Sequence, residues 1–419
     1  MRFRTILFWC HLVAGVTAGL LILLMCVTGV LLTYERQLIE WSDRQFVSTP
    51  PSADAVRLRA AALLDRAEAQ EGERPTAITL RADASEPVAI AFGQRTVYAD
   101  AFTGEIIGAP TTGIRDLMST LRGWHRWLAM QGDQRATARM VTGWANVLFL
   151  FIVLSGMYLW LPRMWTWAQV RAVAFFRGGL RGRARDFNWH NAIGIWSAVP
   201  LAIVVATAMP ISFPWANALV YRVMGEAPPQ SGRPGGNREQ VEPDPLPAFT
   251  TLDARWAQAE GQVDGWRSIN LRLPASSSDS LVFLIDEGNG GQPQLRSSLT
   301  LEAATGAVVT WEPFDALSPG RQLRSWSRFT HTGEAFGLVG QTIAGLVSGG
   351  GALLVWTGLA LALRRFLGWR SRQRRSVLSP AQPDLAGARF SYISTSMARP
   401  GTAETSPSDR SLTQTGVIR

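Results

Sequence analysis

The sequence predicts a mainly α membrane protein, with four transmembrane helices in two tandem repeats and two small external α+β modules. Three observations predict this. Four long stretches carry no charged residue, arginines crowd alternate ends of those stretches, and two of the stretches share one residue spacing.

From Thr5 to Tyr34 there is no Asp, Glu or Arg. That run exceeds the roughly 20 residues an α-helix needs to cross a hydrocarbon core of about 30 Å. Residues 5–34 therefore read as transmembrane helix 1, retained as an anchor because the run is too long for a signal-peptide core and no small-residue cleavage site follows it. Three further uncharged stretches run from Met140 to Leu161, from His190 to Trp215 and from Phe336 to Leu363.

Every positive charge is an arginine, since the chain has no lysine. Arg2 and Arg4 precede the first stretch. Arg163, Arg171, Arg177, Arg181, Arg183 and Arg185 separate the second from the third, and Arg364, Arg365, Arg370, Arg372, Arg374 and Arg375 follow the fourth. The positive-inside rule puts these segments in the cytoplasm. Both termini, the basic loop 163–188 and the tail 366–419 are then inside. The tail beyond Ser376 is polar and reads as disordered. The net charge of +9 is thus a topology signal, and nucleic acid is not needed as a partner.

The long outward connections hold the modules. Module 1, within 35–122, reads as a helix over Ala53 to Gln70, strands at Thr76 to Leu80, Val88 to Phe92 and Thr96 to Asp100, then a Thr103-Gly104 turn. Segment 123–162 is a His-bearing stretch with helix 2, and 189–215 holds helix 3. Within 216–328, a Pro- and Gly-rich linker at Ala227 to Pro247 precedes module 2. Its helix reads as Leu252 to Glu260 and its strands as Arg267 to Leu273, Leu281 to Ile285 and Gln294 to Leu301, before Thr305-Gly306. Segment 329–365 is the second His-bearing stretch with helix 4. The tryptophans gather near helix ends, as an interfacial belt does. Cys10 and Cys26 lie on one rigid helix and cannot pair.

The repeat is visible in spacing. His11 is followed by Gly15 at i+4 and Thr28 at i+17, and His190 by Gly194 at i+4 and Thr207 at i+17. Helix 2 carries Ser155-Gly156 near its end and helix 4 carries Thr357-Gly358, with arginines behind each pair. One departure is Ala208, where the repeat predicts a glycine.

The four histidines, His11, His125, His190 and His331, each stand at or before the start of one apolar stretch. Histidine is costly in a bilayer without a partner, and imidazole is an axial ligand of haem iron. A single histidine at an interface is usually structural. The repeat, however, pairs His11 with His190 on the cytoplasmic side and His125 with His331 on the outer side, which makes two bis-histidine sites for two b-type haems. Structural zinc is disfavoured because it needs four clustered ligands. Gly15 and Gly194 share the face of their histidines and leave room for a flat macrocycle; helix packing through Gly15-x-x-x-Gly19 is the competing explanation, and both stand. Arg122, Arg126, Arg324 and Arg328 outside, and Arg4 and Arg185 inside, are candidate partners for haem propionates, beside ordinary snorkelling.

With Trp124-His125-Arg126-Trp127, Trp189-His190-Asn191-Ala192-Ile193-Gly194 and His331-Thr332-Gly333, these motifs make the chain resemble the PepSY-associated transmembrane family, which includes bacterial inner-membrane ferric siderophore reductases. The resemblance covers roughly Phe3 to Arg365. It implies PepSY-like periplasmic modules, a bacterial inner-membrane location and reduction of a periplasmic ferric siderophore. No Rossmann or Walker fingerprint is present, so the electron donor is expected to be a separate cytoplasmic protein or a quinol. Two other readings are a conduit to a different periplasmic acceptor and a haem-free binding or regulatory membrane protein.

Overall fold

The structure is a computed structural model that describes residues 3–161, 165–229, 251–274 and 280–378. Most of the expected linker, the tail from residue 379, and Pro162 and Arg163 lie outside the described residues.

The first half runs α1 (Phe3–Leu32), α2 (Glu35–Asp43), α3 (Ala60–Glu71), β1 (Ala77–Arg81), β2 (Val88–Phe92), β3 (Arg95–Ala99), β4 (Ile106–Gly108), α4 (Thr112–Trp127) and α5 (Gln134–Trp160). After α6 (Trp167–Ala174), the second half runs α7 (Gly182–Ser212), α8 (Pro214–Val223), α9 (Leu252–Glu260), β5 (Ser268–Arg272), β6 (Leu281–Asp286), β7 (Arg296–Leu301), β8 (Val308–Pro313), α10 (Pro319–His331) and α11 (Gly337–Leu378). The order of elements is the same in both halves. Among the described residues, the helices containing α1, α5, α7 and α11 are the four long and apolar enough to cross a membrane. Their outward faces expose Leu20, Val199 and Leu346, whereas Ile22, Cys26, Phe149, Val153, Leu201 and Val205 pack an apolar interior between them. Exposed leucine and valine on a spanning helix are solvated by lipid. The protein is a multi-pass membrane protein.

Several boundaries differ from the expectation. The helix expected from Ala53 begins at Ala60, because residues before it stay extended: the Leu58 amide donates to the Ala101 carbonyl at 2.9 Å. The third spanning helix starts at Gly182, so His190 lies about two turns inside it rather than opening it. Each set of strands has a fourth member, β4 and β8, that the pattern had not shown.

The strands expected in two separate modules form one antiparallel sheet of eight, ordered β4-β3-β2-β1-β5-β6-β7-β8. The halves join where β1 pairs β5, with Thr79 opposite Asn270 at the centre of the register. Asn270 Nδ2 donates to Thr79 Oγ1 across that seam at 2.8 Å. Alternation puts Ile78, Leu80, Ile90, Ile269, Phe283 and Leu299 on one face, where Leu63, Leu64 and Trp256 from α3 and α9 cover them in a single core.

The other face meets the elements that carry two of the histidines. Tyr98 of β3 donates its hydroxyl to Asp43 of α2 at 2.8 Å. Glu312 of β8 pairs with Arg321 of α10 at 2.5 Å. The β6 to β7 turn receives Arg36 of α2, which also pairs with Glu334. The sheet is thereby fastened over the ends of α4 and α10.

Candidate functional site

Two amphipathic helices place the sheet-side histidines. The helix α4 packs against α1 and α5 and carries His125 in its last turn. It stops abruptly: Leu128 and Ala129 adopt positive φ of 52° and 60°, and the Ala129 amide returns to the Gly123 carbonyl at 3.1 Å. Thr142 Oγ1 of α5 lies 3.1 Å from the Arg126 carbonyl and holds that end. The helix α10 starts with Ser318, whose hydroxyl caps it, and Pro319 at its first position. It ends on His331, packed against α7 and α8. Gly333 then turns the chain into α11 with φ 77°, and a side chain there would collide with the Gly340 backbone. That is a physical reason for glycine in His331-Thr332-Gly333.

The ring of each histidine rests on a spanning helix. His125 Nδ1 is 2.9 Å from Thr28 Oγ1 of α1. His11 Nδ1 is 2.8 Å from Ser155 Oγ of α5, and His190 Nδ1 is 3.0 Å from Thr357 Oγ1 of α11. His331 Nδ1 instead lies 2.9 Å from the main-chain carbonyl of Val204 in α7. A carbonyl only accepts, so His331 carries its proton on Nδ1. The three hydroxyls reach carbonyls of their own helices, Thr28 to Leu24 at 2.7 Å, Thr357 to Leu353 at 2.8 Å and Ser155 to Ile152 at 3.2 Å. Having donated its hydrogen backward, each hydroxyl accepts from Nδ1–H. All four Nε2 atoms are then left as lone-pair donors, and none has a hydrogen bond to the described residues.

Glycines make the seats shallow. A Cβ at Gly156 would lie 3.4 Å from His11 Cε1, one at Gly358 would lie 3.3 Å from His190 Cε1, and one at Gly29 would lie 3.6 Å from His125 Cε1. Each of these glycines follows the hydroxyl residue that holds the ring. The exception is His331: Thr207 is followed by Ala208, and the ring uses a carbonyl. The Ser-Gly and Thr-Gly pairs stand out in the sequence, but their role as ring seats is visible only in three dimensions. The i+17 spacing was the available signal, since it places Thr28 at the far end of the helix that bears His11.

The structure brings one of the expected pairs face to face. His125 and His331 face each other with ring centres 6.3 Å apart and planes tilted by 47°. His11 of α1 is seated against α5, and His190 of α7 against α11. Along α1 the 17 residues from His11 to Thr28 separate the two layers by about 25 Å of helix rise. Gly15 has open space where a Cβ would be, while Gly19 meets Leu359 at 3.2 Å and Gly194 meets Leu354 at 3.6 Å. Helix packing therefore accounts for Gly19, and Gly15 faces a gap.

The arginines divide by side. Near the sheet-side pair, Arg126 and Arg328 have no ionic partner among the described residues. Burial lowers the pKa of Arg126, and Arg328, Arg139 and Arg122 add repulsion. Arg122 is occupied by Glu35, and Arg324 donates to Asn217 at 2.6 Å. At the opposite end both candidates are engaged by protein: Arg4 donates to the Leu161 carbonyl at 3.0 Å and Arg185 pairs with Asp186 at 2.9 Å. Asp186 is buried and also pairs with Arg364 at 3.1 Å. These contacts tie helix ends together, so Arg4 and Arg185, named as candidate anion partners, already have protein partners.

Four spanning helices, a covering sheet and two layers of histidines define a multi-pass membrane protein with four internally seated imidazoles. The family model of the PepSY-associated transmembrane region matches residues 8–365, and the chain belongs to that family. No curated protein matches the chain.

Proposed function

We propose that the chain is a di-haem b reductase of the bacterial inner membrane, which delivers electrons to a ferric siderophore in the periplasm and releases ferrous iron. The observation that carries this reading is the common state of the four imidazoles: Nδ1 engaged by the protein and Nε2 free. Metal-bound histidine generally donates its other ring N–H in this manner.

The residues fit the cofactor. Two metal–imidazole bonds of about 2 Å each, plus the distance from ring nitrogen to ring centre on both sides, span roughly 6 Å. The 6.3 Å between His125 and His331 matches that span. His125 and His331 would hold one haem and His11 and His190 the other. Gly15 leaves room beside His11, and Arg126 and Arg328 supply unpaired cations for propionates on the sheet side. Each bound haem supplies a one-electron ferric/ferrous couple.

The chain's own residues do the rest. Hydroxyl and carbonyl seats fix ring tautomer and direction, and the apolar layer of Ile22, Phe149, Leu201 and Val205 keeps water out between the ligand pairs. The two halves form a tandem repeat with both termini cytoplasmic, and the sheet is periplasmic and PepSY-like. Electrons enter from a separate cytoplasmic protein or a quinol. The siderophore is supported by family likeness, and the arginines suit an anionic ferric complex.

The test mixes chemically reduced protein with ferric siderophores and a ferrous-iron trap. Haem reoxidation together with trapped ferrous iron is expected. A reduced protein that stays reduced in their presence contradicts the assignment of acceptor.

A further inference from the structure

We propose that Thr28, Ser155 and Thr357 are positioning residues that set the reduction potentials of the two ligand pairs. This inference rests on the di-haem reading. The seats differ in chemistry: three rings donate to a hydroxyl oxygen whose hydrogen is already given to its own helix, and His331 donates straight to the Val204 carbonyl. A main-chain carbonyl draws the Nδ1 proton more strongly than a neutral hydroxyl, and the stronger bond makes Nε2 the more basic ligand. A more basic ligand favours the ferric state and lowers the potential.

The structure supplies a fallback acceptor behind each hydroxyl. The carbonyls of Met25, Ile152 and Leu354, three residues before Thr28, Ser155 and Thr357, each lie 3.2 Å from the hydroxyl oxygen that holds the ring of His125, His11 or His190. They are counterparts of Val204, three residues before Thr207, whose carbonyl lies 2.9 Å from His331 Nδ1. Removing a hydroxyl therefore converts its seat to the kind that His331 already uses. The ring stays held, so the predicted effect falls on potential and not on occupancy. Glycine at 29, 156 and 358 lets each ring settle onto the helix backbone.

The experiment is a redox titration of purified full-length protein in lipid nanodiscs, comparing the native chain with Thr28→Ala, Thr28→Ser and Ser155→Ala. Thr28→Ala should retain two haems per chain and shift one of the two reduction steps to lower potential. Thr28→Ser should overlay the native curve, which a role for the threonine methyl would not allow. Ser155→Ala should shift the other step, and it carries the test if Thr28→Ala cannot be purified. Unchanged steps in both alanine variants, or equal shifts in Thr28→Ser and Thr28→Ala, overturn the proposal. A native protein without haem would instead refute the di-haem reading on which it rests.

Discussion

Asp43 and Arg115 form an ion pair at 2.6 Å that fastens α2 to the helix ending near His125. Asp43 also accepts the Tyr98 hydroxyl at 2.8 Å and the Thr111 amide at 3.2 Å, so one carboxylate joins the sheet, α2 and α4. Replacing it by alanine strands three donors in a half-buried site. Asp43→Ala should cost about 2–3 kcal/mol, measured as a lower midpoint of thermal unfolding, with Asp43→Asn recovering part of the loss.

The same contact predicts an alkaline limit. Burial, and then the hydrogen bond to Asp43, push the Tyr98 phenol up to about 12. A folded pKa above the unfolded value of about 10 contributes stability that is fully present below pH 10 and is lost as pH rises toward 12. Thermal midpoints of the native chain should fall across that window. Tyr98→Phe should be less stable at neutral pH and show a shallower alkaline fall; an equal fall in both would assign it to other groups.

The spans and the juxtaposition of His125 with His331 were legible in the sequence because both rest on local patterns: uncharged runs, and residues repeated at fixed offsets. It did not reveal α4 and α10, whose apolar residues are interleaved with arginines and had been absorbed into neighbouring segments. Signals were there, in the Ser318-Pro319 start and in Leu117, Leu121, Trp124 and Leu128 at helical spacing. β4 has three residues and β8 is an edge strand with Val308 and Val309 exposed, so neither shows a clean alternation. The join of β1 to β5 pairs residues about 190 positions apart, which no local pattern encodes. The seat of His331 was hinted at by Ala208, but choice of a carbonyl over a hydroxyl is a matter of tertiary geometry.

Gly15 separates two explanations of its own presence. A Cβ at Gly15 has no neighbour within 4 Å, so Gly15→Leu is expected to leave folding and expression intact. If the gap receives the haem beside His11, the variant should lose that haem and keep the other. Two haems retained in Gly15→Leu would return Gly15 to a packing or incidental role.

The turn between α4 and α5 stores backbone strain. Ala129 is exposed and has φ 60°, a region that costs an L-residue roughly 1–2 kcal/mol relative to glycine. Ala129→Gly should raise stability by about 1 kcal/mol, less the entropy that glycine adds to the unfolded chain. A destabilised Ala129→Gly would mean that the helix end is held by something other than its left-handed cap.

The most direct measurement is haem quantitation by the dithionite-reduced minus oxidised spectrum, applied to the native chain and to alanine variants at His11, His125, His190 and His331. Two b-type haems per native chain are expected, with each variant losing about half of the total if one axial ligand cannot retain the cofactor. His11→Ala and His190→Ala should leave the same remaining spectrum, and His125→Ala and His331→Ala the other. A native protein with no dithionite-sensitive b-type spectrum would contradict the account.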